Sequence, residues 1–158
     1  MIYVLDTNVL LAAKNAYYSF KLCPAFWDWL VLQRKNNNVI SIEAVKAELI
    51  DSDIKRWVRA NPSFFDANND AKLNEVADWV CGQDRFEKTS IKAFLSKADP
   101  RLISYAKANG FTLVTNERSQ EYAKKVKIPD VCKALGVPCV GPFEMLDNLN
   151  ARFILDRS

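Results

Sequence analysis

The sequence predicts an α/β fold, a three-layer α/β/α sandwich around a mainly parallel central sheet, and two observations predict it. Short apolar, partly β-branched runs recur at residues 2–5, 39–40, 112–115 and 139–140, each suited to a strand buried on both faces. Between them lie stretches of helical spacing, so strands and helices alternate along the chain. A length of 158 residues suits one domain, expected to run over residues 1–158 without internal repeat or linker. Hydrophobic residues make up 49% and charged residues 26%, a balance that excludes a disordered or collagenous chain.

Each element has its own signal. Ile2 to Leu5 form the first strand, Asp6 ends it, and Thr7 and Asn8 lead into a helix through Val9 to Ala12. Pro24 stands at a first helical position before the aromatic run Phe26 to Leu32, and Asn36 to Asn38 stop that helix. Val39 and Ile40 form a short strand, after which Ser41 is expected to cap a helix carrying Ile42, Val45 and Leu49 on one face. Residues 51–95 read as helical with breaks at Asn61-Pro62 and Gly82. Asp99-Pro100 starts a helix through Asn109, Gly110 fits a left-handed cap, and the strand Thr112 to Thr115 follows. Beyond the polar turn 116–120 come Lys124, Lys125 and Lys127, a short helix from Ile128 to Leu135, the strand at Cys139 and Val140, and a terminal helix begun by Pro142.

The count that bounds the chemistry is His 0. It removes Ser-His-Asp and Cys-His nucleophile pairs, HExxH zinc sites and histidine acid-base pairs, so any catalysis must rest on carboxylates. The four cysteines, Cys23, Cys81, Cys132 and Cys139, form no CxxC pair and read as reduced core residues. No apolar run approaches the ~20 residues that span a bilayer, so a cytoplasmic protein with no membrane partner is expected. A net charge of +3 tolerates a polyanionic partner without demanding one.

In an open parallel sheet, functional groups gather beyond the carboxyl ends of the strands. Asp6 closes the first strand, Glu48 lies late on the helix after the second, Asp99 opens the helix before the Thr112 strand, and Glu117 follows that strand. Asp130 lies near the next helix start. Singly, Asp6, Asp99 and Asp130 read equally well as helix caps, and Glu48 and Glu117 as solvated surface charges. Jointly, acids converging at one sheet end would raise one another's pKa unless a cation neutralised them. Hard oxygen donors without Cys or His select Mg²⁺ or Mn²⁺, which suits hydrolysis of a phosphodiester. A haloacid dehalogenase-type phosphotransferase also opens with Asp after a strand, but it places a second Asp two residues on, where this chain has Asn8.

The segment Ile2-Tyr3-Val4-Leu5-Asp6-Thr7-Asn8-Val9-Leu10 resembles the first motif of the PIN domain ribonucleases, a hydrophobic strand ending in Asp, Thr or Ser, then a small polar residue. Val45 to Leu49, with Glu48, is similar to that family's second motif, and Asp99 to Ala106 with Gly110 and Leu113-Val114-Thr115 to its third. The fourth acid departs from the pattern: Asn116-Glu117 and then Glu121-Tyr122 stand where the family places an acid or Asn and an Asp-Phe pair. Glu117 ranks above Asp130 for that role.

The resemblance, nearest to the VapC-like toxin branch, implies a Mg²⁺- or Mn²⁺-dependent endoribonuclease of a toxin-antitoxin pair. Asp6, Glu48, Asp99 and Glu117 would then be catalytic and metal-binding, with Asp130 supplementing the metal site. Thr7, Asn8 and Thr115 would hold the carboxylates in place. RNA is the expected substrate, and a cognate antitoxin and a second copy of the chain are the candidate protein partners. Lys14, Tyr17, Tyr18 and Lys21, together with Lys124, Lys125 and Lys127, are candidate RNA contacts. The competing reading is a catalytically degenerate module of the same fold that binds RNA or protein.

Overall fold

A computed structural model describes residues 1–157; Ser158, the last residue of the expected domain, lies outside them. Five strands, β1 (Tyr3–Leu5), β2 (Val39–Ile42), β3 (Phe65–Asp66), β4 (Thr112–Val114) and β5 (Cys139–Val140), form one sheet in the order β3-β2-β1-β4-β5. All four pairings are parallel. Flanking helices complete a PIN-like α/β/α sandwich: α1 (Thr7–Ala12), α2 (Pro24–Lys35), α3 (Glu43–Glu48), α4 (Ser52–Ala60), α5 (Leu73–Cys81), α6 (Lys88–Ser96), α7 (Asp99–Asn109), α8 (Ile128–Leu135) and α9 (Pro142–Asn148). Among the described residues, no helix is long and apolar enough to cross a membrane.

The chain builds outward from β1 in one direction through β2 and β3, then returns to add β4 and β5 on its other side. The reversal lies between β1 and β4, where an open α/β sheet leaves a crevice beyond its strand ends. Register sets what meets there: Leu5 pairs with Val114, so Asp6 and Thr115, the residues that follow, stand side by side.

Burial explains the strands. Tyr3, Val4 and Leu5 are enclosed, as are all four residues of β2. Helix α2 buries Phe26, Trp27 and Leu30, and the Trp27 ring meets that of Trp57 on α4 with centroids 5.2 Å apart. Such aromatic pairs add about 0.5–1.5 kcal/mol beyond the area they bury. At α7 the expected left-handed cap is present: Gly110 has φ 69°, a conformation that side chains with a Cβ adopt only at a cost.

Several expectations need correction. Residues 51–95 are not helical throughout, because β3 adds an edge strand parallel to β2. Its two residues are too few to show a period, and its Asp66 is satisfied only across the fold, by Arg34 Nη2 at 3.1 Å and the Tyr105 hydroxyl at 3.0 Å. Ser41 does not cap a helix: β2 runs on to Ile42, and the Ser41 hydroxyl donates to the Leu5 carbonyl at 2.7 Å. After α1 the chain widens into a π-helical turn, Ala13–Tyr17, closed by Tyr18 N–H donating to the Ala13 carbonyl at 2.7 Å. Cys81 is exposed, so the cysteines are not all core residues.

Ser41→Ala leaves a buried strand carbonyl short of a donor, at a cost of about 1–3 kcal/mol. The variant should melt roughly 2–10 °C lower with its circular-dichroism spectrum unchanged. An unaltered melting temperature would show that the hydroxyl does not help join β2 to β1.

Candidate functional site

Asp6 occupies the N-cap position of α1, yet its side chain does not cap; Oδ2 accepts from the Thr115 hydroxyl at 2.9 Å. Its backbone N–H donates to the Val114 carbonyl at 3.0 Å, so the β1–β4 ladder continues into the site. Asp6 is only 1% exposed. Burial pushes its carboxyl up to about 6, with the charges of Glu117 and Glu48 adding to the rise and the Thr115 bond opposing it.

Glu48 ends α3, where the helix dipole disfavours an anion. Two donors from other elements compensate: the Thr7 hydroxyl reaches Oε1 at 2.6 Å, and the Ala98 N–H reaches Oε2 at 3.0 Å. One carboxylate thereby ties together the starts of α1 and α7. Asp99 is the first residue of α7 rather than its cap, which is Ala98, and it makes no capping hydrogen bond. Burial and then the charges of Asp6, Glu117 and Glu48 raise Asp99 to about 7, with Lys97 weakly opposing.

Glu117 follows β4. Its N–H donates to the Thr115 hydroxyl at 3.1 Å, and its Oε2 accepts from the N–H of Ile128, the first residue of α8, at 2.8 Å. Asp130 does a different job. It is the third residue of α8, and it accepts from the Ser119 hydroxyl and, at 3.3 Å, from the Gln120 N–H, bracing the loop after β4. Its charge is not among those raising Asp6 or Asp99. Asn8 contributes through its backbone, whose carbonyl accepts from the Asn116 amide at 3.1 Å.

The structure thus gathers Asp6, Glu48, Asp99 and Glu117 within electrostatic reach of one another and leaves Asp130 to the loop. Two clefts open on either side of Glu117. One, of about 370 Å³, is lined by Asp99, Lys97, Lys125 and Lys127. The other, of about 810 Å³, includes Thr115, Asn116, Tyr17 and Phe143. Of the remaining candidate RNA contacts, Lys14 pairs with Asp51 at 2.8 Å, and Tyr18 stacks on Phe26 with centroids 4.6 Å apart. Sequence reasoning missed the thiol pair beside the site. The free Cys132 thiol on α8 donates a hydrogen bond to Cys139 on β5, which holds the Cys132 thiol protonated and pulls Cys139 below its usual range. No CxxC spacing marks that pair.

Over residues 3–153 the chain matches a family described as a domain of unknown function, DUF4411. It belongs to that family. No curated protein matches this DUF4411 chain. Among solved structures it is similar to a chain of the VapBC2 complex from Rickettsia felis, solved bound to a DNA fragment from their promoter. Identity is 21% and the TM-score 0.51, with 89% of this chain and 98% of the other covered. At that identity the likeness is one of fold.

The donor set of the DUF4411 site, carboxylate oxygens without imidazole, has the chemistry of a hard divalent cation site. Its arrangement is open: among the described residues, no group of three or more acidic or thiol side chains stands ready to hold a metal ion. Burial, and after it the repulsion among the acids, disfavours charge on Asp6 and Asp99, and a divalent ion would offset that cost.

A carboxyl raised on folding keeps its proton longer in the native state than in the unfolded chain, so metal-free stability falls as pH rises from about 4 to about 7. Asp99→Asn removes one such group. In metal-free buffer at about pH 8 the variant should melt higher than the parent, by roughly 4 °C or more, and the gap should close near pH 4. Parallel melting curves across that range would show that folding does not raise the Asp99 carboxyl.

Proposed function

We propose that this DUF4411 chain is a PIN-like module that engages RNA where β1 and β4 end, and that it hydrolyses RNA with Mg²⁺ or Mn²⁺. The observation that carries the reading is electrostatic. Burial first drives Asp6 and Asp99 up to about 6 and about 7 at one end of the sheet, and the charges of Glu117 and Glu48 add to the rise. Such crowding is costly for a purely structural site and favourable for one that takes up a divalent cation.

Asp6 and Asp99 would hold the metal, and Glu48 and Glu117 would complete the set, directly or through water. Once bound, the ion would supply an activated water and offset charge on the phosphate. The chain's own residues do the rest. Thr115 fixes the Asp6 rotamer, and Thr7 with the Ala98 N–H fixes that of Glu48. Lys97, Lys125 and Lys127 line the cleft beside Asp99 and would meet the flanking phosphates. The role of toxin beside a cognate antitoxin rests on the motif resemblance and on the fold shared with a chain of VapBC2.

A second reading, a module of the same fold that binds RNA or protein without cleaving it, is favoured by the static arrangement. No ready group of three donors is present among the described residues, and Glu48 and Glu117 each commit oxygens to backbone N–H groups. On geometry alone this is the better supported of the two readings.

Cleavage assays separate them. Under the hydrolytic reading, single-stranded RNA is cut in Mg²⁺ and spared in EDTA, and Asp6→Asn lowers the rate roughly 100-fold or more. Calorimetry should find Mn²⁺ binding in the parent chain and its loss in Asp6→Asn. RNA retained without metal-dependent products would establish the binding module, and equal Mn²⁺ binding by both chains would remove Asp6 from the site.

A further inference from the structure

We propose that the larger cleft beside Glu117 receives one unstacked base of single-stranded RNA, next to the phosphate held over the carboxylates. The inference rests on the reading of RNA as the partner and adds where the base goes. Two exposed aromatic rings mark the cleft: Tyr17 is 53% exposed and Phe143 51%, and they meet edge to face at 5.2 Å and 87°. Large rings left in water beside a candidate site need an occupant more than isolated surface residues do.

Both rings are placed by backbone devices. The π-helical turn Ala13–Tyr17 divides two consecutive tyrosines, so that half-buried Tyr18 stacks on the core residue Phe26 at 15° and Tyr17 is left to the cleft. Such turns cluster at functional sites. Pro142 starts α9 and sets Phe143 immediately after it. Asn8 and Asn15 bring amides to the same lining, groups that can both donate to and accept from a base edge.

Glu117 belongs to both clefts. On one side lie the lysines and Asp99, suited to phosphates; on the other lie the rings and amides, suited to a base. A strand crossing Glu117 therefore sets a phosphodiester beside Asp99, with Asp6 enclosed beneath, while its neighbouring base leaves the stack. A duplex cannot do this without unpairing, which makes single-stranded RNA the substrate class. A purely apolar protein segment would leave the amide lining unmatched.

Binding is measured in the Asp99→Asn background, where cleavage does not consume the probe, using a single-stranded oligoribonucleotide with one 2-aminopurine. Quenching should peak when the fluorescent base occupies one position. Tyr17→Ala and Phe143→Ala should each weaken binding roughly tenfold and restore emission, while Tyr17→Phe keeps both. An abasic site at that position should cost as much as Tyr17→Ala, and the two losses should not add. If RNA binds but the alanine variants match their parent, the base pocket is wrong and the RNA reading stands. If the parent background and the native chain both fail to bind RNA, the RNA reading falls and takes this proposal with it. Additive losses from the abasic probe and Tyr17→Ala would show the ring contacting something other than the base, and would overturn the pocket.

Discussion

The hydrogen bond from Thr115 to Asp6 joins residues 109 positions apart, and the rest of the site depends on it. A carboxylate enclosed at the end of a central strand must find donors within the protein or give up its charge. Asp6 finds one only because β4 pairs with β1 in a register that sets Val114 opposite Leu5. The same Thr115 hydroxyl accepts from the Glu117 N–H, so one side chain couples the central acid to the loop carrying the next. Rigid strand pairing is thereby converted into the position of two carboxylates.

Glu48 extends the arrangement to the other side of the sheet. Its two oxygens take donors 41 and 50 residues away, one at the start of α1 and one just before α7. A carboxylate at a helix C-terminus is poorly placed with respect to its own dipole. The N-termini of two other helices supply the opposite polarity, and in doing so hold Asp99 near Asp6. Packing between helices and the electrostatics of the acids are one problem here, solved by the same contacts.

Beyond β4 the work divides between two acids. Glu117 meets the first N–H of α8 and its charge bears on Asp6 and Asp99, whereas Asp130 binds the loop back onto that helix. The loop it steadies separates a cleft with three lysines from one with exposed rings. The lysines thus lie on one side of a carboxylate and the exposed rings, with Arg118 and Glu144, on the other.

Sequence alone determined the alternation of strands and helices, the cap at Gly110, and four acids placed where parallel strands end, because burial and backbone preference leave periodic and local marks. It also excluded histidine chemistry outright, since absence of a residue type needs no structure to interpret. It could not resolve β3, whose two residues carry no period, nor the π turn, nor the place of Ser41 inside a strand. Local pattern also left Asp99 and Asp130 alike, each an acid at a helix start. Only the tertiary structure separated them, because what an acid does is decided by the charges and donors brought to it across the fold: three carboxylates for Asp99, a loop hydroxyl and amide for Asp130.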